Sequence, residues 1–246
     1  MQDAPAMTGT GPDDWIAAAL DILIEEGAAA VKVQTLARRL ECSRSSFYWF
    51  FTDRADLLER LLAHWRDHST GRIVERARRP AARISQGVLN IFDCWANPAL
   101  FDPRLDFAIR EWARRDARVK AAVDAADAER LAAISALFAR FPGDSVSAEV
   151  RARTLYYMQI GYYALGIRES LPRRMARLRD YVVSFCGEEP DPADLAAFAA
   201  RNPADSARSL VWTQLSTAAS VTETAGGGRP RMVPAGEDGG LDGGCG

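Results

Sequence analysis

The sequence predicts an all-α protein in which a small N-terminal module of three helices precedes a larger helical domain. Apolar side chains recur three and four residues apart through residues 13–187, the spacing that places them on one face of a helix. Prolines and glycines separate these runs at positions where helices end. Two early runs, on either side of Glu41 and Cys42, are too short to be stable alone and therefore predict a packed module.

The first helix follows a polar arm, residues 1–12. Asp13 and Asp14 stand in its first turn, where negative charge interacts favourably with the helix dipole, and Gly27 provides a C-terminal cap. Its apolar face is expected to bury the inner faces of the two short helices. Trp15 is interpreted as a core residue on that face.

The two short runs predict a helix-turn-helix within residues 33–58. Ser43 is a good N-cap for the second helix. The inward side of that helix consists of Phe47, Phe50 and Phe51. In a helix-turn-helix the second helix lies in the major groove of DNA. Its first turn, formed by Arg44, Ser45 and Ser46, is therefore expected to meet base edges.

This stretch resembles the DNA-binding domain of TetR-family transcriptional regulators. The family pattern includes Ser-(Arg/Lys)-x-(Ser/Thr)-(Leu/Phe)-Tyr and a basic residue before a Leu-Leu pair. The positions that carry the resemblance are Val33, Leu36, Ala37, Ser43, Arg44, Ser46, Phe47, Tyr48, Phe51, Arg54, Leu57 and Leu58. The resemblance implies a DNA-binding domain at residues 13–58 and a helical ligand-binding and dimerisation domain at residues 59–187.

Three residues depart from the family pattern. Glu41 stands in place of a turn glycine, which costs about 1 kcal/mol if the backbone there is left-handed. Lys32 replaces the Ser or Thr that usually caps the first short helix, a loss of about 1 kcal/mol. Phe50 replaces a histidine and removes one phosphate donor. A looser turn and fewer phosphate contacts are expected.

Eight residues are candidates for contact with double-stranded DNA. They are Thr35, Ser43, Arg44, Ser45, Ser46, Tyr48, Trp49 and Arg54. Arg44 suits a bidentate contact to guanine, worth about 1 to 3 kcal/mol of discrimination between bases. The resemblance assigns phosphate contacts to Thr35, Tyr48 and Arg54, whereas Trp49 would pack on a sugar or a thymine methyl group.

The positive charge of the chain is local. A net charge of −2 argues against an indiscriminate nucleic-acid binder. Lys32, Arg38 and Arg39 lie near the predicted DNA contacts and are interpreted as electrostatic helpers or as solvated charges. A small basic face of this kind suits a site-specific dimer with modest salt dependence.

Other classes of protein find little support in the residue pattern. The four cysteines are scattered without Cys-x-x-Cys spacing, which favours reduced thiols. His64 and His68 are interpreted as solvated, because no third metal ligand is suggested nearby. An enzyme would need a nucleophile, base or phosphate-loop constellation, so neither catalytic residues nor a cofactor are expected. Without a signal peptide or a membrane span, a cytoplasmic protein is expected.

Residues 53–187 predict six further helices. Their expected bounds are 53–78, 82–95, 103–112, 119–138, 147–169 and a run from Pro172 to Gly187. Residues 110–119, REWARRDARV, are similar to a segment of the ligand-binding domains of one TetR subgroup. The apolar helix from Ser147 to Glu169 has almost no polar face and predicts a four-helix bundle shared by two subunits. Burial of this helix within its own monomer is the alternative.

The resemblance implies an unknown small-molecule effector. The candidate ligand-binding residues are Trp95, Asp106, Phe107, Arg110, Glu111, Trp112, Tyr156, Gln159 and Tyr163. Asp106, Arg110 or Glu111 is expected to orient the ligand in a largely apolar pocket. Ordinary core packing is the alternative for the aromatic members.

The expected function is that of a homodimeric regulator that reads an inverted-repeat operator. Two recognition helices about 34 to 36 Å apart would enter successive major grooves. An apolar or aromatic effector would release such a repressor by reciprocal linkage. The alternative is a ligand-independent regulator controlled by a protein partner or by cysteine redox state.

Residues 188–246 are rich in glycine, proline and alanine. This composition predicts a mostly disordered tail. A short helix near Ala193 to Ala200 is expected within it. Trp212 and Leu215 form either a weak docking spot or stray apolar residues.

Overall fold

The computed structural model of the chain describes residues 10–141, 146–167 and 169–203. Over these ranges it is all-α, as predicted, and contains no strand. The α-helices are α1 (Pro12–Glu26), α2 (Val33–Arg39), α3 (Arg44–Phe47), α4 (Arg54–Trp65), α5 (Arg72–Arg78), α6 (Ile84–Ala96), α7 (Pro103–Ala113), α8 (Ala117–Ala139), α9 (Ala148–Ala164), α10 (Leu171–Ala176), α11 (Leu178–Cys186) and α12 (Pro192–Arg201). None of these helices is long and apolar enough to cross a membrane.

An aromatic core holds the N-terminal module together. Trp15 of α1 is fully buried, which confirms its predicted core position, and its ring meets Phe47 edge-on with ring centroids 5.3 Å apart. Phe47 stacks on Phe51 at 5.0 Å. Leu36 of α2 and Leu57 of α4 are also fully buried in this cluster. The short helices α2 and α3 therefore gain their stability from packing.

The N-terminal core continues into the helical domain. Leu105 and Ile109 of α7 lie in the same apolar cluster as Trp15, together with Val119 and Val123 of α8. Helix α1 packs on α7. The N-terminal module is therefore seated on the helical domain and is not attached through α4 alone.

The predicted helix from residue 53 to 78 contains a wider turn. Asp53 caps it as expected, and its carboxylate accepts a hydrogen bond from the Asp56 backbone N–H. Residues Arg66–Gly71, between α4 and α5, form a π-helical segment in place of regular α-helix. Such a turn contains one extra residue. Here it brings Ser69 and Thr70 inside the protein, where each is 1% exposed.

Helix α9 ends earlier than predicted. It stops at Ala164, and Gly166 follows with a positive φ of 60°, a conformation that breaks the helix before the expected end at Glu169. The early end leaves Leu165 77% exposed and Ile167 43% exposed. This helix is consequently not covered on all sides by its own monomer.

The described part of the predicted tail is ordered against the helical domain. Helix α12 corresponds to the short helix expected near Ala193 to Ala200, and its Phe198 is 1% exposed. The Asn202 side-chain amide donates a hydrogen bond to buried Asp93 of α6 at 2.9 Å. Residues 188–203 therefore pack with the helical domain, because α12 has an apolar residue to bury. Trp212 and Leu215 lie outside the described residues.

Candidate DNA-binding surface and effector region

The turn between α2 and α3 is left-handed at Glu41. Its φ is +52°, and no other non-glycine residue in the described ranges has a positive φ. The backbone at Glu41 is therefore left-handed, which is the case in which the missing turn glycine costs stability. The turn still closes, because the Cys42 backbone N–H donates to the Ala37 carbonyl at 3.0 Å. Glu41 strains this turn by about 1 kcal/mol relative to glycine.

Three serines gather at the start of α3. The Ser43 hydroxyl caps the helix as predicted, accepting from the Ser46 backbone N–H at 3.4 Å. It also lies 2.7 Å from the Ser45 hydroxyl and 2.9 Å from the Ser46 hydroxyl. Arg44 is exposed beside them, and no hydrogen bond or ion pair within the described residues holds its guanidinium. A free donor thus stands beside a row of hydroxyls.

Two aromatic side chains project from the end of α3. Tyr48 is 61% exposed and Trp49 is 82% exposed, although the adjacent Phe47 is fully buried. Trp49 is the most exposed of the large apolar residues among those described. Arg44 and both rings are the exposed groups that make up the solvent-facing surface around α3.

Two of the basic residues named in the sequence analysis bind partners within the protein. The Arg54 Nε and Nη2 donate to the carbonyls of Val31 and Ala28, both at 2.5 Å, and so fasten the α1–α2 connection to α4. Arg39 forms ion pairs with two carboxylates of α1 at 3.1 and 3.3 Å. Lys32 makes no side-chain capping bond to α2. Fewer basic side chains are therefore available to phosphate than the sequence pattern predicts.

A buried charge network lies between the N-terminal module and the helical domain. Asp106 of α7 and Arg130 of α8 are both fully buried, and the Arg130 Nη2 donates to the Asp106 Oδ1 at 3.0 Å. Arg110 donates to the other carboxylate oxygen at 2.8 Å, and the Trp65 indole N–H donates to Oδ1 at 2.9 Å. Burial opposes ionisation of Asp106, but the attraction of Arg130 and Arg110 outweighs it and holds the pKa of Asp106 below its usual value.

The same network reaches the π-helical segment and α9. The Arg130 Nε donates to the Thr70 hydroxyl at 2.9 Å, and its Nη1 donates to the Tyr156 hydroxyl at 3.0 Å. Tyr156 in turn donates to Asp127 at 2.7 Å. Arg110 binds the Asp127 carboxylate in bidentate fashion at 2.7 and 2.9 Å. Four helical elements are joined through these side chains.

The expected orienting groups for a ligand have other partners. Asp106 and Arg110 are occupied within the buried network. Glu111 is exposed and lies 3.7 Å from Arg114 and 3.8 Å from Arg115. These polar groups therefore do not converge on one ligand.

The other predicted ligand residues divide between two spaces. Trp95 and Gln159 line a cavity of about 50 Å³ between α6, α9, α10 and α11. Phe107 and Trp112 line a groove of about 1160 Å³ between the N-terminal module and helices α7 and α8. Tyr163 stacks on Phe101 with ring centroids 5.9 Å apart. The nine residues thus do not form a single pocket.

Sequence reasoning missed Arg130, which is central to the buried network. Arg130 falls four residues after Ala126 and four before Ile134, both buried positions of α8. A charged residue in the middle of an apolar stripe is a signal of a buried ion pair, because a lone buried charge is too costly. Its partners on α7 and in the π-helical segment lie 24 and 60 residues away and are not visible from that spacing.

Comparison with known proteins agrees with the helix-turn-helix geometry. Residues 16–61 match the family model of bacterial regulatory proteins of the tetR family. No curated protein matches the chain.

Solved structures of regulators share the fold over most of the chain. AmtR of Mycobacterium smegmatis is 16% identical over 81% of this chain and 97% of its own, with a TM-score of 0.56. FadR of Bacillus subtilis, solved in complex with stearoyl-CoA, is 11% identical over 72% and 98%, with a TM-score of 0.53. A TetR/AcrR-family regulator of Thermobifida fusca is 14% identical over 73% and 98%, also with a TM-score of 0.53.

Proposed function

We propose that the chain, whose residues 16–61 match the model of the tetR family of bacterial regulatory proteins, is a DNA-binding transcriptional regulator of that family and a homodimeric repressor of an inverted-repeat operator. A small apolar or aromatic effector releases it from DNA. Residues 13–58 form the DNA-binding domain in this proposal, and the helices from residue 59 to 203 form the effector and dimerisation domain.

The observation that carries the proposal is the solvent-facing surface around α3. Arg44 is exposed and free of internal partners among the described residues, and Trp49 is 82% exposed. A guanidinium suits the paired acceptors of guanine in the major groove. Trp49 is placed to cover a sugar or a thymine methyl group. One copy of this surface reads one half-site, so a specific operator needs two.

An uncovered apolar face of α9 supports the proposal that two copies of the chain form a dimer. Val150 and Tyr157 are each 51% exposed and lie seven residues apart, on the same face of the helix. Gly161 continues this face, and a Cβ added there would meet nothing within 4 Å. Leu165 lies just beyond, at 77% exposure. An apolar face with room for close approach suits an isologous helix bundle between two subunits.

The buried network supports a mechanical link between effector and DNA. Trp65 and Thr70 belong to the helix that leaves the DNA-binding domain, and they bind Asp106 and Arg130 of the helical domain. A ligand that shifts α7, α8 or α9 therefore also shifts α4. Such coupling is reciprocal, so the operator weakens effector binding by the factor with which the effector weakens operator binding.

The test is selection of genomic DNA fragments by the purified protein, followed by sequencing. An inverted repeat with two half-sites is the expected result. Enrichment of single half-sites would overturn the dimeric part of the proposal, and uniform enrichment of all fragments would overturn sequence-specific binding.

Redox control through the interior cysteines is disfavoured. Burial raises the pKa of the Cys94 thiol to about 12, and burial likewise raises that of Cys186 to about 12. Oxidation and alkylation act on the thiolate, which is scarce for such thiols at neutral pH. Cys42 is half-buried, and Cys245 lies outside the described residues.

A further inference from the structure

The cavity between α6, α9, α10 and α11 is a largely apolar space that is partly open to solvent. Its main apolar walls are Phe92, Trp95, Met158, Met175, Leu178 and Phe198. Its volume of about 50 Å³ is several times that of a single water site. Two methionines in the wall permit the space to change shape, because their side chains are unbranched and flexible.

One polar group in the wall of this cavity has an unused hydrogen-bond donor. Gln159 is 3% exposed, and within the described ranges the side-chain partner of its amide is the neighbouring Tyr163 hydroxyl. The nitrogen carries two N–H donors. The hydroxyl of Tyr163, one turn further along α9, can therefore occupy at most one of them. A buried donor without an acceptor is unfavourable, and a ligand oxygen would satisfy it.

The charged groups at the cavity already have partners within the protein. Tyr162 donates to the Glu169 carboxylate at 3.3 Å, and Arg177 forms an ion pair with the same carboxylate. The Arg174 guanidinium lies 4.9 Å from the centroid of the Tyr162 ring and donates to the Trp95 carbonyl at 3.3 Å. Each of these charged groups is already engaged inside the protein, so the cavity favours a neutral ligand.

Helix α12 contributes Phe198 to the wall of this cavity. The Phe198 ring is 1% exposed and forms part of the cavity wall. At the start of α12, Arg83 pairs with Asp191 and Asp194 at 3.0 and 2.8 Å. At its end, Asp93 of α6 accepts hydrogen bonds from Arg201 and Asn202. The helix is thus held at its two ends, and its central aromatic residue covers the space between.

We propose that this cavity is the effector site, that it takes a neutral and largely apolar molecule with a carbonyl oxygen, and that α12 is its gate. The carbonyl accepts a hydrogen bond from the Gln159 Nε2. Displacement of Phe198 supplies the additional volume. Aromatic ketones, esters and lactones fit this chemistry, whereas a charged nucleotide thioester does not.

This inference rests on the proposed function for its biological meaning, but its test involves no DNA. Acetophenone is the probe, and α-methylstyrene is its control, because the two share a shape and differ in that a CH₂ group replaces the carbonyl oxygen. Calorimetric titration of the full chain gives the ratio of the two dissociation constants. Gln159→Leu should shift this ratio by about tenfold in favour of α-methylstyrene, since the amide donor is lost.

A second variant tests the gate. Phe198→Ala leaves Gln159 in place and enlarges the cavity, so both probes should bind more tightly, by roughly tenfold. Trp112→Ala, in the separate groove beside α7, should leave both constants unchanged. Circular dichroism establishes that each variant is folded.

Three results would contradict the proposed binding site. They are an unchanged ratio in folded Gln159→Leu, no binding of either probe even to Phe198→Ala, or binding that depends on Trp112. Operator release by some other molecule would in each case leave the proposed function standing. Probe binding that follows the prediction, without any effect on operator affinity, would retain the binding site and contradict its role as the effector site.

Discussion

The guanidinium of Arg130 and the carboxylate of Asp106 form an ion pair that is entirely shielded from water, with 3.0 Å between Nη2 and Oδ1. Both residues also bind the helix that leaves the DNA-binding domain, Asp106 through Trp65 and Arg130 through Thr70. A pair of this kind matters most when one partner is removed, because the remaining charge is left buried.

Arg130→Met should lower the free energy of unfolding by about 3 to 5 kcal/mol, because Asp106 loses one of its two arginine partners without gaining water. Urea denaturation at pH 7 measures this change. Arg66→Met is the control, since Arg66 is 65% exposed and pairs with Glu129 at 3.2 Å on the surface. Its loss should cost less than about 1 kcal/mol. Equal costs for the two variants would contradict the assigned role of the buried pair.

The cost of Arg130→Met should depend on pH. In the native protein the pKa of Asp106 lies below its ordinary value of 3.8, so its contribution to stability is present above that pH and is lost as the pH falls through the native pKa. In the variant, burial raises the pKa of Asp106, and protonation relieves the strain. The difference in unfolding free energy between the two proteins should therefore shrink between pH 6 and about pH 3. A constant difference would show that Asp106 is not the group left uncompensated.

Glu41→Gly should stabilise the protein by about 1 kcal/mol, because glycine adopts a φ of +52° without the steric cost that a side chain brings. Urea denaturation at constant m-value measures the gain. Glu41→Ala keeps a Cβ at the same position and should give no such gain. Stabilisation by both variants would instead point to the charge of Glu41 as the cause.

Arg44→Ala should relax base preference at one position in each half-site, with a loss of about 1 to 3 kcal/mol of discrimination. Selection of bound sequences from a random DNA library measures it. Arg38→Ala is the control, because Arg38 is exposed on α2 outside the recognition helix. It should weaken all sequences alike and lower the salt dependence. If Arg44→Ala behaved like Arg38→Ala, the assignment of Arg44 to base contact would be wrong.

Tyr157→Glu should convert the proposed dimer to a monomer at micromolar concentration, since it places a charge on the uncovered apolar face of α9. Sedimentation velocity measures the change in mass. Ala132→Glu adds the same charge at an exposed position of α8 and should leave the dimer intact. A dimeric Tyr157→Glu variant would place the subunit interface elsewhere.

Local pattern predicted the helices of this chain well, because apolar spacing and caps are properties of neighbouring residues. Trp15 in the core, Ser43 and Asp53 as caps, and Gly187 at the end of α11 are all found where expected. At Glu41 the resemblance to the family pattern raised a left-handed turn only as a condition, and the φ of +52° meets it.

Interactions between residues that are distant in the sequence were harder to predict. Arg54 appeared available to phosphate, yet its guanidinium binds carbonyls 23 and 26 residues earlier in the chain. Asp106 and Arg110 appeared to be ligand contacts, yet each is held by partners from other helices. Residues 188–246 are expected to be mostly disordered because they are rich in glycine and proline, yet the short helix expected within them packs on the helical domain through buried Phe198 and the ion pair of Asp194 with Arg83.

The wide turn at Arg66–Gly71 also determines how the helix before it and the helix after it are rotated relative to each other. Trp65 and Thr70 bind the same ion pair although they are five residues apart, a separation that a regular α-helix would place on different sides. Deletion of one residue within the turn would restore a regular helix and rotate everything beyond it by about 100° around the axis. The single additional residue therefore fixes the rotational angle between the N-terminal module and the helical domain.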